Sequence, residues 1–221
     1  MPMDLQRATA ARRSQTYWLL SRLFIEQPEQ PMLEELALAL KAGHGGEPAV
    51  AHGLRLLQEA VNAALASPRA LTDLQVEYTR LLSGTSKASG APEPYESMSV
   101  EGRLFGESTE AVSAAYRGAG HPDPLPEAGP PDHVGTELRF MSLLCYHEME
   151  AWRDGNESDA VELLERELDF LDAHVMRWVP AFCDRLAELT THSFYLAVAR
   201  LTAAACRQDW DEVTAFIHER A

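Results

Sequence analysis

Apolar residues in this chain recur at intervals of three and four from one end to the other, and almost nowhere do they alternate with polar ones over β-branched stretches. That period lines one face of a helix with core residues and leaves no run suited to a half-buried strand, so an all-α fold is expected. With 221 residues, 46% of them apolar, the chain is long enough to enclose one sizeable core. The expected architecture is a single helical domain over residues 1–221 with about 9–11 helices.

Punctuation residues divide the pattern. A first helix is expected from Leu5 to Glu26, burying Tyr17, Leu20 and Phe24 and closed by Pro28 and Pro31. A short helix with Leu33, Leu36 and Leu40 should end at Gly43, Gly45 and Gly46, and Val50, Leu54, Leu57, Val61 and Leu65 form the stripe of the next. Ser67-Pro68 starts another, with the serine as N-cap, which carries Leu71, Leu74, Tyr78, Leu81 and Leu82 and stops at Gly84. Residues 84–106 hold Gly, Ser, Pro92 and Pro94, and an irregular loop of that length usually serves a function. After a helix over 107–117, residues 118–131 contain five prolines and form a second loop. Asp132 is the expected N-cap of a long helix with Val134, Leu138, Met141, Cys145, Glu148 and Trp152 on one face. Apolar stripes at Val161–Leu171, Trp178–Leu189, Phe194–Ala205 and Trp210–Ile217 predict three or four further helices, with a kink or fresh start near Trp178 imposed by Pro180.

The formal net charge of -15 repels phosphate backbones and anionic lipid and attracts cationic peptides, so nucleic acid is not an expected partner. Cys145, Cys183 and Cys206 are far apart, within apolar helical patterns, and read as buried thiols in a reducing compartment. Arg12-Arg13 leads into Tyr17-Trp18-Leu19-Leu20, but Arg22 and Glu26 interrupt the apolar run, so the segment is expected to be a helix rather than an export signal. No run approaches the ~18 apolar residues of a membrane span. The chain is expected to be cytoplasmic, without stable membrane insertion.

Enzymatic motifs are sparse. There is no phosphate-binding loop, dinucleotide fingerprint or nucleophile elbow, and His147-Glu148 lacks a second histidine because position 151 is alanine. His133 and Glu137, four apart on a predicted helix, are two metal-ligand types where a site needs more. Neither a catalytic set, a metal site nor a cofactor is expected. Three features cluster around the two loops. Glu77-Tyr78-Thr79-Arg80-Leu81-Leu82-Ser83-Gly84 is a helix end entering the first loop, with Leu74, Leu81 and Leu82 suited to a core. Pro92-Glu93-Pro94-Tyr95-Glu96-Ser97 is stiffened by its prolines, which limits the entropy lost on ordering around a ligand. Pro130-Pro131-Asp132-His133 opens the long helix.

Glu77 to Gly84, Pro94 to Ser97, Leu104 to Thr109, Pro130 to His133 with Gly135 and Glu137, and His192 to Tyr195 occur in an order and spacing that resembles the TorD/DmsD family of redox-enzyme maturation chaperones, over most of residues 75–205. Tyr95 stands where some members carry tryptophan, and Leu82 is not aromatic. The resemblance implies a helical chaperone, without catalysis, that binds the twin-arginine leader and apo form of a molybdopterin oxidoreductase catalytic subunit, assists cofactor insertion and delays export. It further implies a peptide site formed by Tyr78, Leu81, Leu82, Glu93, Pro94, Tyr95, Glu96, Ser97, Pro130, Asp132, His133 and Glu137, with Asp132 and Glu93 or Glu96 meeting the arginines. A leader cationic at one end and apolar beyond it suits a carboxylate-bordered apolar groove. The alternatives are a helical metal- or nucleotide-dependent hydrolase and a general helical adaptor for mature protein surfaces. A monomer is the favoured state, and the client is not named by these residues.

Overall fold

The computed structural model describes residues 3–41, 47–82, 90–126 and 129–220. It is all-α: α1 (Met3–Ile25), α2 (Gln30–Leu40), α3 (Pro48–Leu65), α4 (Pro68–Leu82), α5 (Glu96–Glu101), α6 (Glu107–Gly118), α7 (Val134–Arg153), α8 (Glu157–Phe170), α9 (Met176–Leu189) and α10 (Ser193–His218). Among the described residues there is no strand; Tyr95 and His133 form an isolated antiparallel bridge. The described helices match the apolar stripes, and Ser67 caps α4, its Oγ accepting from the Ala70 N–H at 3.2 Å. The stops expected at Gly43, Gly45, Gly46 and Gly84 lie outside the described residues.

Three expectations are corrected. Residues 96–101 of the predicted first loop are helical, forming α5. The N-cap of α7 is His133, whose Nδ1 accepts from the Gly135 N–H at 3.0 Å, and Asp132 caps α5 instead. The stripes at Phe194–Ala205 and Trp210–Ile217 belong to one helix, α10, because no breaker separates them. The disturbance expected near Trp178 takes the form of a π-helical turn, Leu171–Val175, in which the Met176 N–H reaches back to the Leu171 carbonyl. Pro180 follows inside α9, where it has no N–H to donate.

The chain groups into two compact units. The first comprises Met1–Ile25, Tyr95–Val179 and Cys206–Ala221. Its α1 and α7 lie close: Ser14 and Ser142 each donate a hydroxyl to the other's carbonyl at 2.9 Å, and Ser21 Oγ donates to the Gly135 carbonyl at 2.7 Å. Gly135 is required there, since a Cβ at that position would fall 2.4 Å from Ile25 Cγ1. Ala10, Trp152, Leu164 and Val213 form one core cluster, and Phe140 packs against Tyr116 at a tilt and against Phe170 edge to face, each with centroids 4.7 Å apart.

The same unit buries Arg13 among three acids. Its guanidinium donates to Glu148 at 2.7 Å, to Glu167, and to both carboxylate oxygens of Asp209, which also accepts from the Tyr17 hydroxyl at 2.7 Å. Burial opposes the Arg13 charge, but Asp209, Glu167 and Glu148 outweigh it and hold the guanidinium's pKa well above its ordinary value. Burial pushes the Glu167 carboxyl up to about 8 despite Arg13.

The second unit comprises Glu26–Pro94 and Pro180–Ala205. Gly53 lets α3 approach α10, since a Cβ would lie 3.0 Å from Leu201 Cα. On α4, Arg80 grips Glu77 through two 2.7 Å hydrogen bonds, and Thr190 Oγ1 donates to Glu77 at 2.8 Å. The Arg80 hydrogen bond leads the interactions that hold Glu77 below the ordinary carboxylate range.

Candidate functional site

Tyr95 and the start of α5 meet the residues before α7 through backbone geometry in the first unit. The Asp132 carbonyl accepts from the Glu96 N–H at 2.9 Å, and Asp132 Oδ2 accepts from the Ser97 N–H at 2.9 Å. One residue thus satisfies two of the donors that open α5. The rings of Tyr95 and His133 meet edge to face with centroids 5.2 Å apart. Tyr116 donates its hydroxyl to the Pro131 carbonyl at 2.9 Å and so pins the proline pair. Two motifs separated by more than thirty residues therefore become one structure.

Behind this surface lies a layer of buried polar groups. Glu96, Ser97, Asp132 and Glu137 are all 0% exposed. Glu96 accepts from or pairs with His174 Nδ1 at 2.9 Å and lies 3.5 Å from an Arg177 guanidinium nitrogen. Glu137 Oε2 accepts from the Trp178 indole N–H at 3.0 Å. Oxygen atoms of Glu96, Ser97, Asp132, Thr136 and Glu137 are buried without a hydrogen-bond partner. Burial, reinforced by the charges of Glu96 and Asp132, drives the Glu137 carboxyl well above its ordinary range. Burial alone lowers His133 to about 4, so its ring is neutral; with Nδ1 accepting, the proton sits on Nε2.

The placement changes the roles expected from sequence. Asp132 and Glu96 present no surface to an arginine: the first caps α5 and the second faces His174 and Arg177. Ser97 and Glu137 are likewise interior. Tyr95 and Pro130 are half-buried and remain accessible in the first unit, as does Pro131. In the second unit, Tyr78 and Glu93 are half-buried, while Leu81, Leu82 and Pro94 are buried. The structure therefore brings Tyr95, Glu96, Ser97, Asp132, His133 and Glu137 together by direct contact or burial in one unit and assigns Tyr78, Leu81, Leu82, Glu93 and Pro94 to the other.

His174 and Trp178, which hold Glu96 and Glu137, were not expected as part of this site. Their signal was a His-x-x-x-Trp spacing, one helical turn, next to the Pro180 break. His133 and Glu137 are committed to the Gly135 N–H and the Trp178 indole respectively. Among the described residues no group of three or more His, Cys, Asp or Glu is placed to hold a metal ion, and no helix is long and apolar enough to cross a membrane.

A family model described as nitrate reductase delta subunit matches residues 47–184, which include both motif regions and all the residues just described. The chaperone protein TorD of Vibrio parahaemolyticus is 26% identical over 216 residues, covering 94% of this chain and 97% of its own. TorD of Vibrio cholerae is 25% identical, covering 90% of each chain. A solved structure of a proposed redox enzyme maturation protein from Archaeoglobus fulgidus aligns over 91% of this chain and 93% of its own, at 21% identity and a TM-score of 0.48. With well over half of its length matched by the family model, this chain belongs to the nitrate reductase delta subunit family, within the TorD/DmsD group that its motifs resemble.

Proposed function

We propose that this protein is a maturation chaperone that binds the twin-arginine leader and apo form of a molybdopterin oxidoreductase catalytic subunit, assists cofactor insertion and delays export. The observation that carries the reading is the bridge between Tyr95 and His133, which within the first unit joins Tyr95 to the Pro130–His133 motif over a layer of buried acids. In the family to which this chain belongs, relatives of nearly its full length are chaperones.

The division of labour follows from magnitude. Exposed ion pairs contribute about 0–1 kcal/mol each, whereas micromolar binding needs roughly 8 kcal/mol, so apolar contact supplies most of the affinity. Tyr95, Pro130 and Pro131 offer that contact in the first unit, and Tyr78 is the half-buried aromatic of the second. Glu93 is the accessible acid for a leader arginine, and the net charge of -15 speeds encounter with a cationic peptide. Asp132, Glu96, Ser97 and Glu137 shape the surface from beneath, and Leu81 and Leu82 hold α4.

Calorimetric titration with a synthetic leader tests this. Saturable binding that weakens with salt is expected, with Tyr95→Ala lowering affinity about tenfold or more and Glu93→Gln lowering it a few fold, helicity unchanged. If both variants bind like the parent, the leader sits elsewhere; if the parent shows no saturable binding, leader recognition is not its function.

A further inference from the structure

The connection between α5 and α6 is held more firmly than a short link requires. Glu101, the last residue of α5, turns its carboxylate onto the start of α6 and accepts from the Glu107 N–H at 2.9 Å and the Ser108 N–H at 2.8 Å. That carboxylate lies so near Gly106 that a Cβ there would fall 1.8 Å from Glu101 Oε2, so a larger residue would displace the Glu101 side chain from these donors. Gly102 turns the chain with φ 71. Between them Phe105 adopts φ 59, a left-handed conformation that bulky L-residues rarely take.

Burial does not repay this strain. The Phe105 side chain is 67% exposed, and its neighbours Val100 and Leu104 are 41% and 40% exposed. Glycine at position 105 would relieve the backbone and forfeit little buried area, so the isolated chain gains nothing from phenylalanine. A partner supplies the missing burial. We propose that Val100, Leu104 and Phe105 form a preset apolar knuckle that inserts into an apolar hollow rimmed by lysine and arginine on a folded protein.

Charge selects that occupant. Glu101, Glu107 and Glu110 accompany the knuckle against a single Arg103, and the whole chain carries -15. A second copy would press one acidic rim against another, and an anionic membrane or nucleic acid would be repelled, whereas a cationic rim is attracted. An exposed aromatic on a stiff support is also the usual form of an interface anchor. Identifying the partner as the folded body of the client rests on the function proposed above; the knuckle itself shares no residue with the leader surface.

The experiment uses the full chain and two probes: a molybdopterin oxidoreductase catalytic subunit from the same genome with its leader deleted, and the synthetic leader alone. Phe105→Asn keeps a residue tolerant of positive φ and removes the ring. The expected result is an unchanged or higher Tm, unchanged leader affinity, and binding to the leaderless subunit weakened about tenfold or more. The proposal is overturned if the parent does not bind the leaderless subunit, or if Phe105→Asn binds it equally well. Loss of self-association in sedimentation, with subunit binding intact, also overturns it and makes a second copy the occupant. If the parent ignores the leader yet captures the leaderless subunit through Phe105, the knuckle stands and the leader reading fails.

Discussion

The two buried acidic regions of the first unit solve the same problem by opposite means. Around Arg13, three carboxylates converge on one guanidinium, with Tyr17 and Trp152 donating further hydrogen bonds to Asp209 and Glu148. At the start of α7, Glu137 has an indole N–H and Asp132 has the backbone N–H of α5, while the cation nearest the group is Arg177 at 3.5 Å from Glu96. In the first region a permanent cation opposes the upward push of burial on Glu148 and Glu167 without cancelling it, whereas in the second the carboxyl oxygens rely on indole and backbone donors. The first arrangement secures the meeting of α1, α7, α8 and α10, and the second shapes the surface that bears Tyr95 and Pro130.

Removing the cation is the strongest way to break that contrast. Arg13→Met should cost roughly 3–5 kcal/mol in urea melts at pH 7, because Glu148, Glu167 and Asp209 lose their common partner. Part of the loss should return as pH falls, because burial already raises the Glu148 and Glu167 carboxyls and the variant removes the cation that opposes that shift. A variant as stable as the parent at pH 7 would mean that the cluster is neutral already.

A smaller effect, with a distinctive pH signature, is expected at Glu137. Its folded pKa is raised, so between the unfolded value near 4.5 and the raised folded value the folded chain keeps a proton that the unfolded chain releases. Its contribution to stability therefore declines as pH rises through that window. Glu137→Gln removes the decline: relative to the parent, its Tm should improve progressively as pH rises above the ordinary carboxylate range, since the amide oxygen still accepts from Trp178. Glu137→Ala leaves the indole unanswered and a cavity behind, costing about 2–4 kcal/mol. His133 acts in the other direction. Its folded pKa of about 4 makes stability fall as pH drops from ~6.5 toward that value, which the parent's acid limb should show. A parallel pH profile for parent and Glu137→Gln would refute the upward shift of this carboxyl.

The smallest expected effect concerns Asp132. Asp132→Ala removes the cap of α5 and should cost about 1–2 kcal/mol, whereas Asp132→Asn keeps an acceptor for the Ser97 N–H and should cost less than about 1 kcal/mol. Equal losses from both would show that the charge, rather than the hydrogen bond, is what the α5 terminus uses.

Much of this molecule was legible in one dimension. The stripes Val50–Leu65 and Val134–Trp152 announced α3 and α7, Ser67-Pro68 announced the start of α4, and Glu148 was already assigned to a buried face. α5 was missed because its six residues are too few to show a period and follow two prolines, and because its cap, Asp132, lies 35 positions away. Tyr95 and His133 were named as candidates, but no pattern in sequence states that their rings touch. Arg13 illustrates the limit best. Its place in a helix was legible, but nothing in sequence marked it as the centre of an interior charge cluster whose acids lie 135 to 196 positions downstream.

What the sequence determined by itself was local: helical period, breakers, caps and the order of motifs, each expressed through residues a few positions apart. The tertiary structure alone decided which carboxylates are accessible and which are interior. Protonation, hydrogen bonding and exposure depend on neighbours brought together by folding, and a chain's order along its length carries no record of those distances.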